Sequence, residues 1–171
     1  MGDEDIRAMA ADAFARFNER EGREAFLDAY NPDVALHGYP GGLQGLDGLR
    51  RFHEALWEAF PDARLTVEDV VVEGDRVALR YRLQGTHRGP YLGVAPTGVG
   101  IEVEGLTLLR VAHGRVAEEW HSPTELAILH QIGAVEVNVP KSGRERAEPP
   151  RRSASAEAAA LRLEERQTDQ T

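Results

Sequence analysis

Apolar residues keep a helical period through residues 3–60 and an alternating one through residues 65–121, which divides the chain into a helical half and a strand half. Ile6, Met9, Ala10, Ala13, Phe14 and Phe17 line one face of a first helix that Asp3 can cap. A short second helix is predicted over residues 23–30, with Ala25, Phe26 and Ala29 inward. Asn31-Pro32-Asp33 should end it, because the proline ring disfavours helical backbone at the residue before it. Residues 34–38 read as a short strand and 39–45 as a loop rich in Gly and Pro. Residues 46–60 read as a third helix with Leu49, Phe52, Leu56 and Phe60 on one face. Beyond Pro61, strands over 65–72 and 77–84 make a hairpin about Glu73-Gly74-Asp75, and strands over 101–111 and 115–121 make a second about Ala112-His113-Gly114. Pro123 opens a closing helix that runs through Gln131 and stops near Gly133.

Helices, then an antiparallel sheet, then one more helix is an α+β order, with the helices covering one sheet face and the concave side forming a pocket. Residues 1–139 are expected to form this domain. Residues 140–171 are expected to be a disordered or partly helical tail, because past Pro140 the chain holds Arg, Glu, Ser, Pro and Ala with scarcely any large apolar residue to offset the entropy of ordering. Residues 156–166 could turn helical against a partner, yet their apolar stripe is only Leu161 and Leu163 with alanines.

Composition narrows the chemistry. The 171 residues are 42% hydrophobic, enough for one sizeable core. The absence of cysteine excludes thiolate nucleophiles, disulfides and sulfur-ligated zinc, and it fits a reducing cytoplasm, the expected location. A formal charge of −9 argues against nucleic acid as a partner. No stretch approaches the roughly twenty apolar residues of a membrane span, so no membrane partner is expected either. Neither a Gly-x-Gly-x-x-Gly nor a Gly-Lys-[Ser/Thr] loop occurs, and no Gly-x-Ser-x-Gly elbow.

Several segments in order carry a resemblance. They are His37 at the end of the first strand, Gln44-Gly45-Leu46-Asp47-Gly48-Leu49, Gly85-Thr86-His87-Arg88-Gly89 and Gly93-Val94-Ala95-Pro96-Thr97-Gly98. Arg110 with Gly114-Arg115-Val116, then Trp120, then residues 126–133, complete the set. Together they resemble the SnoaL-like polyketide cyclases of the nuclear transport factor 2-like superfamily over residues 3–133. The resemblance implies a cone built from a curved antiparallel sheet covered by N-terminal helices, with a C-terminal helix. It also implies a pocket for one small hydrophobic molecule, no cofactor or metal, and a homodimer formed on the convex sheet face, where Glu102 and Glu104 are expected to point. Cyclases of this kind close rings by an aldol-type step with an Asp one residue beyond the position of Trp120. Here that residue is His121; Thr107 stands at the position of the family's assisting His, Thr124 at a second acidic position, and His37 near an Asn-type position. The resemblance therefore carries the fold and the pocket, and the exchanged residues separate the aldol reaction from it.

The residues themselves offer acid and base groups. Uninterrupted pairing across the second hairpin would set Thr107 opposite Glu119 and Gly105 opposite His121, all on one face, with Gly105 leaving space above His121. Histidine near its ordinary pKa suits a general base. On this reading His121 removes a proton, Glu119 steadies the imidazolium, and His37, Tyr39 or Thr107 donates to the developing oxyanion. The alternative is that His121 caps the closing helix and Glu119 sits at a solvated mouth, which would leave a non-catalytic ligand-binding or assembly module. Among aromatic residues that could line the cavity, Phe14, Phe17, Trp57, Tyr81, Tyr91 and Trp120, the best placed are Trp57 and Tyr91; Thr124 and Trp120 complete the expected binding set. His87 is expected to stabilise its turn, and His53, His113 and His130 to lie on surfaces or helix faces. A zinc site from His37, His121 and Glu119 lacks a close His-x-x-x-His pair and is disfavoured.

Overall fold

The computed structural model describes residues 2–136, so the expected tail and the end of the domain at residue 139 lie outside the described residues. The elements are α1 (Asp3–Phe17), α2 (Arg23–Leu27), β1 (Tyr30–His37), α3 (Gly45–Ala59), β2 (Arg64–Glu73), β3 (Arg76–Thr86), β4 (Gly100–Ala112), β5 (Arg115–His121) and α4 (Glu125–Gln131), with a 3-10 turn at Pro40–Gly42. None of these helices is long and apolar enough to cross a membrane.

The five strands form one sheet in the order β1-β5-β4-β3-β2. β2 to β5 pair antiparallel, as their two hairpins require, but β1 joins the edge parallel to β5, so the curved sheet is mixed. The difference begins at Tyr30. The second helix ends at Leu27, and Asn31-Pro32-Asp33 belongs to β1 rather than terminating a helix. Proline is tolerated there because β1 is an edge strand, where a missing N–H interrupts no inner ladder.

Alternation does the rest. Val77, Leu79, Tyr81 and Leu83 on β3, and Ile101, Val103, Thr107, Leu109 and Val111 on β4, are buried on the inner face. α1 and α3 bring Phe17, Leu49, Leu56 and Trp57 onto that face, where Phe17 meets Phe26 and Trp57 with ring centroids 5.5 and 5.4 Å apart. His53 lies on a helix face, but the buried one: it sits on the apolar stripe of α3 four residues after Leu49, 5.0 Å from the Phe26 ring centroid. Its Nδ1–H donates to the Leu49 carbonyl at 3.0 Å, and burial pushes its pKa down to about 4.

Three side-chain amides close free stretches of strand edge. Gln44 donates to the carbonyl of Leu36 on β1 at 2.8 Å and accepts its N–H at 3.3 Å. Asn18 brackets Leu65 of β2 in the same way, at 2.8 and 2.7 Å, and Gln131 of α4 brackets Glu102 of β4, at 2.7 and 2.8 Å. Each amide supplies one donor and one acceptor, as a neighbouring strand would, and so ties α1, α3 or α4 to the sheet while blunting an edge.

Candidate active site

β5 carries the central residues, and a bulge sets their aim. Arg110 pairs with Glu118 but Val111 pairs with Val116, so the register slips at Ala117. Leu109 therefore faces Glu119 and Thr107 faces His121, instead of the uninterrupted pairing that sets Thr107 against Glu119 and Gly105 against His121. Glu119 and His121 still point inward, and Glu118 and Trp120 point out. At the far end of β1, Gly38 has φ 82°, and a side chain there would strike the carbonyl of His121. Glycine thus lets the chain turn away against β5 while Tyr39 swings over the imidazole.

The imidazole of His121 is packed between aromatic faces. Tyr39 stacks on it with centroids 4.9 Å apart and planes 27° apart, and Phe52 meets it edge-on at 5.7 Å. Two carboxyls approach it. Glu119, only 4% exposed, accepts a 2.7 Å hydrogen bond from the Thr107 hydroxyl through Oε1, while its buried Oε2 has no partner. Burial pushes its carboxyl up from the ordinary value, against the opposing pull of Thr107, of His121 and of the Tyr39 and Tyr30 hydroxyls. Both phenols are in turn pushed well up, by burial first and then by Glu119.

The second carboxyl is Glu125, at the first turn of α4. Its Oε1 lies 3.7 Å from His121 Nε2, and both atoms are buried and otherwise unbonded. Burial would raise Glu125, but the facing His121 ring and the backbone N–H groups at the helix start outweigh it and hold the carboxyl below its ordinary range.

A cavity of about 30 Å³ lies against this cluster, water-sized at rest, so a larger molecule enters only as the surrounding rings move. Tyr81, Tyr91, His121 and Thr124 share the cavity wall with Phe17, Phe52, Leu56, Leu65, Leu83 and Ile128. Tyr91 is held there by its loop: His87 accepts from the Thr97 hydroxyl at 3.0 Å, its backbone pairs with Val99 and Gly98, and Tyr91 and Val94 exchange both backbone hydrogen bonds across a tight turn. A wider groove of about 360 Å³ opens between Ile6, Asp75 and His113 at the hairpin tips, far from any such convergence of buried polar atoms.

The structure thus brings together His121, Glu119, Thr107 and Tyr39, and sets Tyr91 and Thr124 on the cavity wall. Three expected site residues stand elsewhere. His37 and Trp120 are on the outer sheet face, stacked on one another at 5.0 Å with planes 11° apart; Arg76 covers Trp120, and His37 Nε2 pairs with Glu118 at 3.0 Å. The parity of β5 puts Trp120 opposite to His121, and β1 pairs His37 with Trp120, so neither reaches the imidazole. This also separates the His37, His121 and Glu119 trio considered for zinc. Trp57 packs in the helical layer between Phe17 and His53 under Arg23, outside the cavity wall.

Sequence reasoning missed Glu125, Tyr30 and Phe52. Glu125 had a signal: it follows His121 by four residues across a proline-led helix start, which folds the two back together. Tyr30 had none, since the apparent helix swallowed it.

Comparison with known proteins places this geometry. The family model for SnoaL-like polyketide cyclase matches residues 4–132. Among solved structures, the fold is similar to AclR, a candidate hydroxylase from Streptomyces galilaeus, with TM-score 0.71 and 28% identity over 82% of this chain and 91% of that one. It is similar to TsrD from Streptomyces laurentii, with TM-score 0.69 and 26% identity over 79% and 99% of the two chains. IdmH, a candidate polyketide cyclase from Streptomyces antibioticus, has TM-score 0.63 and 31% identity over 74% and 97%. No curated protein is similar enough to count as a match. With its mixed sheet, its helical cover and a family match spanning nearly all of the described residues, the chain belongs to the SnoaL-like polyketide cyclase family.

Proposed function

We propose that the protein is a cofactor-independent cyclase or isomerase that moves protons on a hydrophobic, polyketide-like carbonyl, hydroxyl or epoxide compound. The observation that carries this is the His121 imidazole 3.7 Å from the half-buried Glu125 carboxyl, with the buried Glu119 on the same sheet face, the surroundings pushing Glu119 up and Glu125 down. Such divergence is how a protein assigns acid and base roles at neutral pH.

The ionised Glu125 faces Nε2 of His121 and favours the tautomer with its proton there, which leaves Nδ1 as the proton acceptor. When His121 takes a proton from a substrate carbon or hydroxyl, the resulting imidazolium meets the Glu125 carboxylate, and the stacked Tyr39 ring holds the imidazole plane. Glu119 acts from behind, positioned by Thr107 and kept toward its neutral form by burial. Returning the proton to a different atom of the bound molecule completes an isomerisation or a ring closure.

Membership in a family of polyketide cyclases supports the substrate class, as does the likeness to IdmH, a candidate polyketide cyclase. The reading is tested by turnover of polyketide-like ketones, hydroxy-enones and epoxides with the wild type and His121→Ala. Turnover that disappears in the variant is the expected result. Binding without turnover of any compound by the wild type would make the domain a ligand-binding or assembly module instead.

A further inference from the structure

Tyr81 and Gly105 are direct partners across β3 and β4. The Tyr81 ring lies over the bare α-carbon of Gly105, so closely that any side chain at that position would strike the ring and its hydroxyl. The space read from the sequence as lying above His121 is in fact filled by a phenol. Laid flat across β4, that phenol points toward β5 and lines the same cavity as His121. Its hydroxyl feels the charges of Glu119 and Glu125 without being bonded to either, and burial together with those carboxyls keeps it a neutral donor. Tyr91 also lines the cavity, but it stands on a loop, and burial and then the charge of Glu125 raise its phenol.

We propose that Tyr81 is the group that binds and polarises the substrate's oxygen, a carbonyl in the ground state and an oxyanion as the proton leaves, and that Gly105 is the positioning residue that lets its ring lie across the strand. A phenol seated on a central strand holds its aim through packing, as an oxyanion donor must. The pairing divides the labour: His121 handles the proton while Tyr81, from the neighbouring side of the cavity, handles the charge left behind. This inference rests on the acid/base reading of the cavity given above.

The probe is 4-(dimethylamino)benzaldehyde, whose absorption band moves to the red when its carbonyl oxygen accepts a strong hydrogen bond. With the wild type, the band is expected to shift on binding. Tyr81→Phe, which keeps the ring and its packing, should bind the probe within about tenfold of the wild-type affinity but without the shift. Gly105→Ala should lose the shift too by displacing the ring, and the double variant should be no worse than either single one. His121→Ala should keep the shift. A full shift in Tyr81→Phe, or a wild-type complex with none, overturns the Tyr81 assignment and leaves the cavity reading intact. Failure of the wild type to bind the probe at all overturns both.

Discussion

Nε2 of His121 and Oε1 of Glu125 face each other at 3.7 Å, each buried and otherwise without a partner. Two such atoms are costly to leave unbonded, and the separation is only slightly beyond a hydrogen bond, so protonation of the ring gives both a reason to close. Glu125→Gln removes the charge while keeping the shape. It should lower kcat about a hundredfold with KM little changed, because the lost interaction belongs mainly to the protonated imidazole formed during reaction. Steady-state kinetics of the two proteins would check it; a change confined to KM would assign Glu125 to substrate binding.

His53 gives the fold a dependence on pH that is separate from the site. Its pKa falls from 6.5 to about 4 on burial, so across that window the unfolded chain holds more protons than the folded one, and stability drops as the pH falls from about 6.5 toward 4. The loss amounts to about 3 kcal/mol at most. Urea unfolding at pH 7 and pH 4.5 should show a smaller difference for His53→Phe than for the wild type. Equal differences would mean that the imidazole is reached by water in the folded state.

The amide brackets make a structural prediction. Gln44→Ala strips both a donor and an acceptor from the backbone of Leu36, and should cost about 1 to 3 kcal/mol in denaturant unfolding. Gln44→Glu, which sets a carboxylate oxygen against the Leu36 carbonyl with no proton between them, should cost at least as much as Gln44→Ala.

Tyr91 limits the cavity. Removing its ring in Tyr91→Ala should cost about 3 kcal/mol of stability and enlarge a space that now measures about 30 Å³. Calorimetric titration with 2-acetylnaphthalene should show tighter binding to the variant than to the wild type. Unchanged affinity would mean that the ring moves aside whenever a ligand enters.

What could be read from the sequence follows the reach of each rule. Period alone found α1, α3 and both hairpins, because each buries a stripe or a face over many residues. It failed at Tyr30 to Asp33, where a Pro usually taken as a helix stop belongs to an edge strand, and the partner that makes β1 an edge lies more than eighty residues away. Family order pointed to His121 and Thr124, and face parity kept Glu119 beside His121 even though the bulge at Ala117 changed their partners. The same parity excludes Trp120 from the cavity, since neighbours on a strand face opposite ways. His37 followed it to the outer face through β1 pairing, a tertiary fact with no local mark. The pairing of Tyr81 with Gly105 was within reach, but the bulge had to be known before the space could be given to the right side chain.

The most direct test of the account is proton exchange at carbon. 2-Tetralone incubated in deuterium oxide with the protein should take up deuterium beside its carbonyl faster than in buffer alone, and His121→Ala should bring the rate back to that of buffer. Exchange that is equal in wild type and variant, or no faster than buffer in either, would contradict the assignment of His121 as the base.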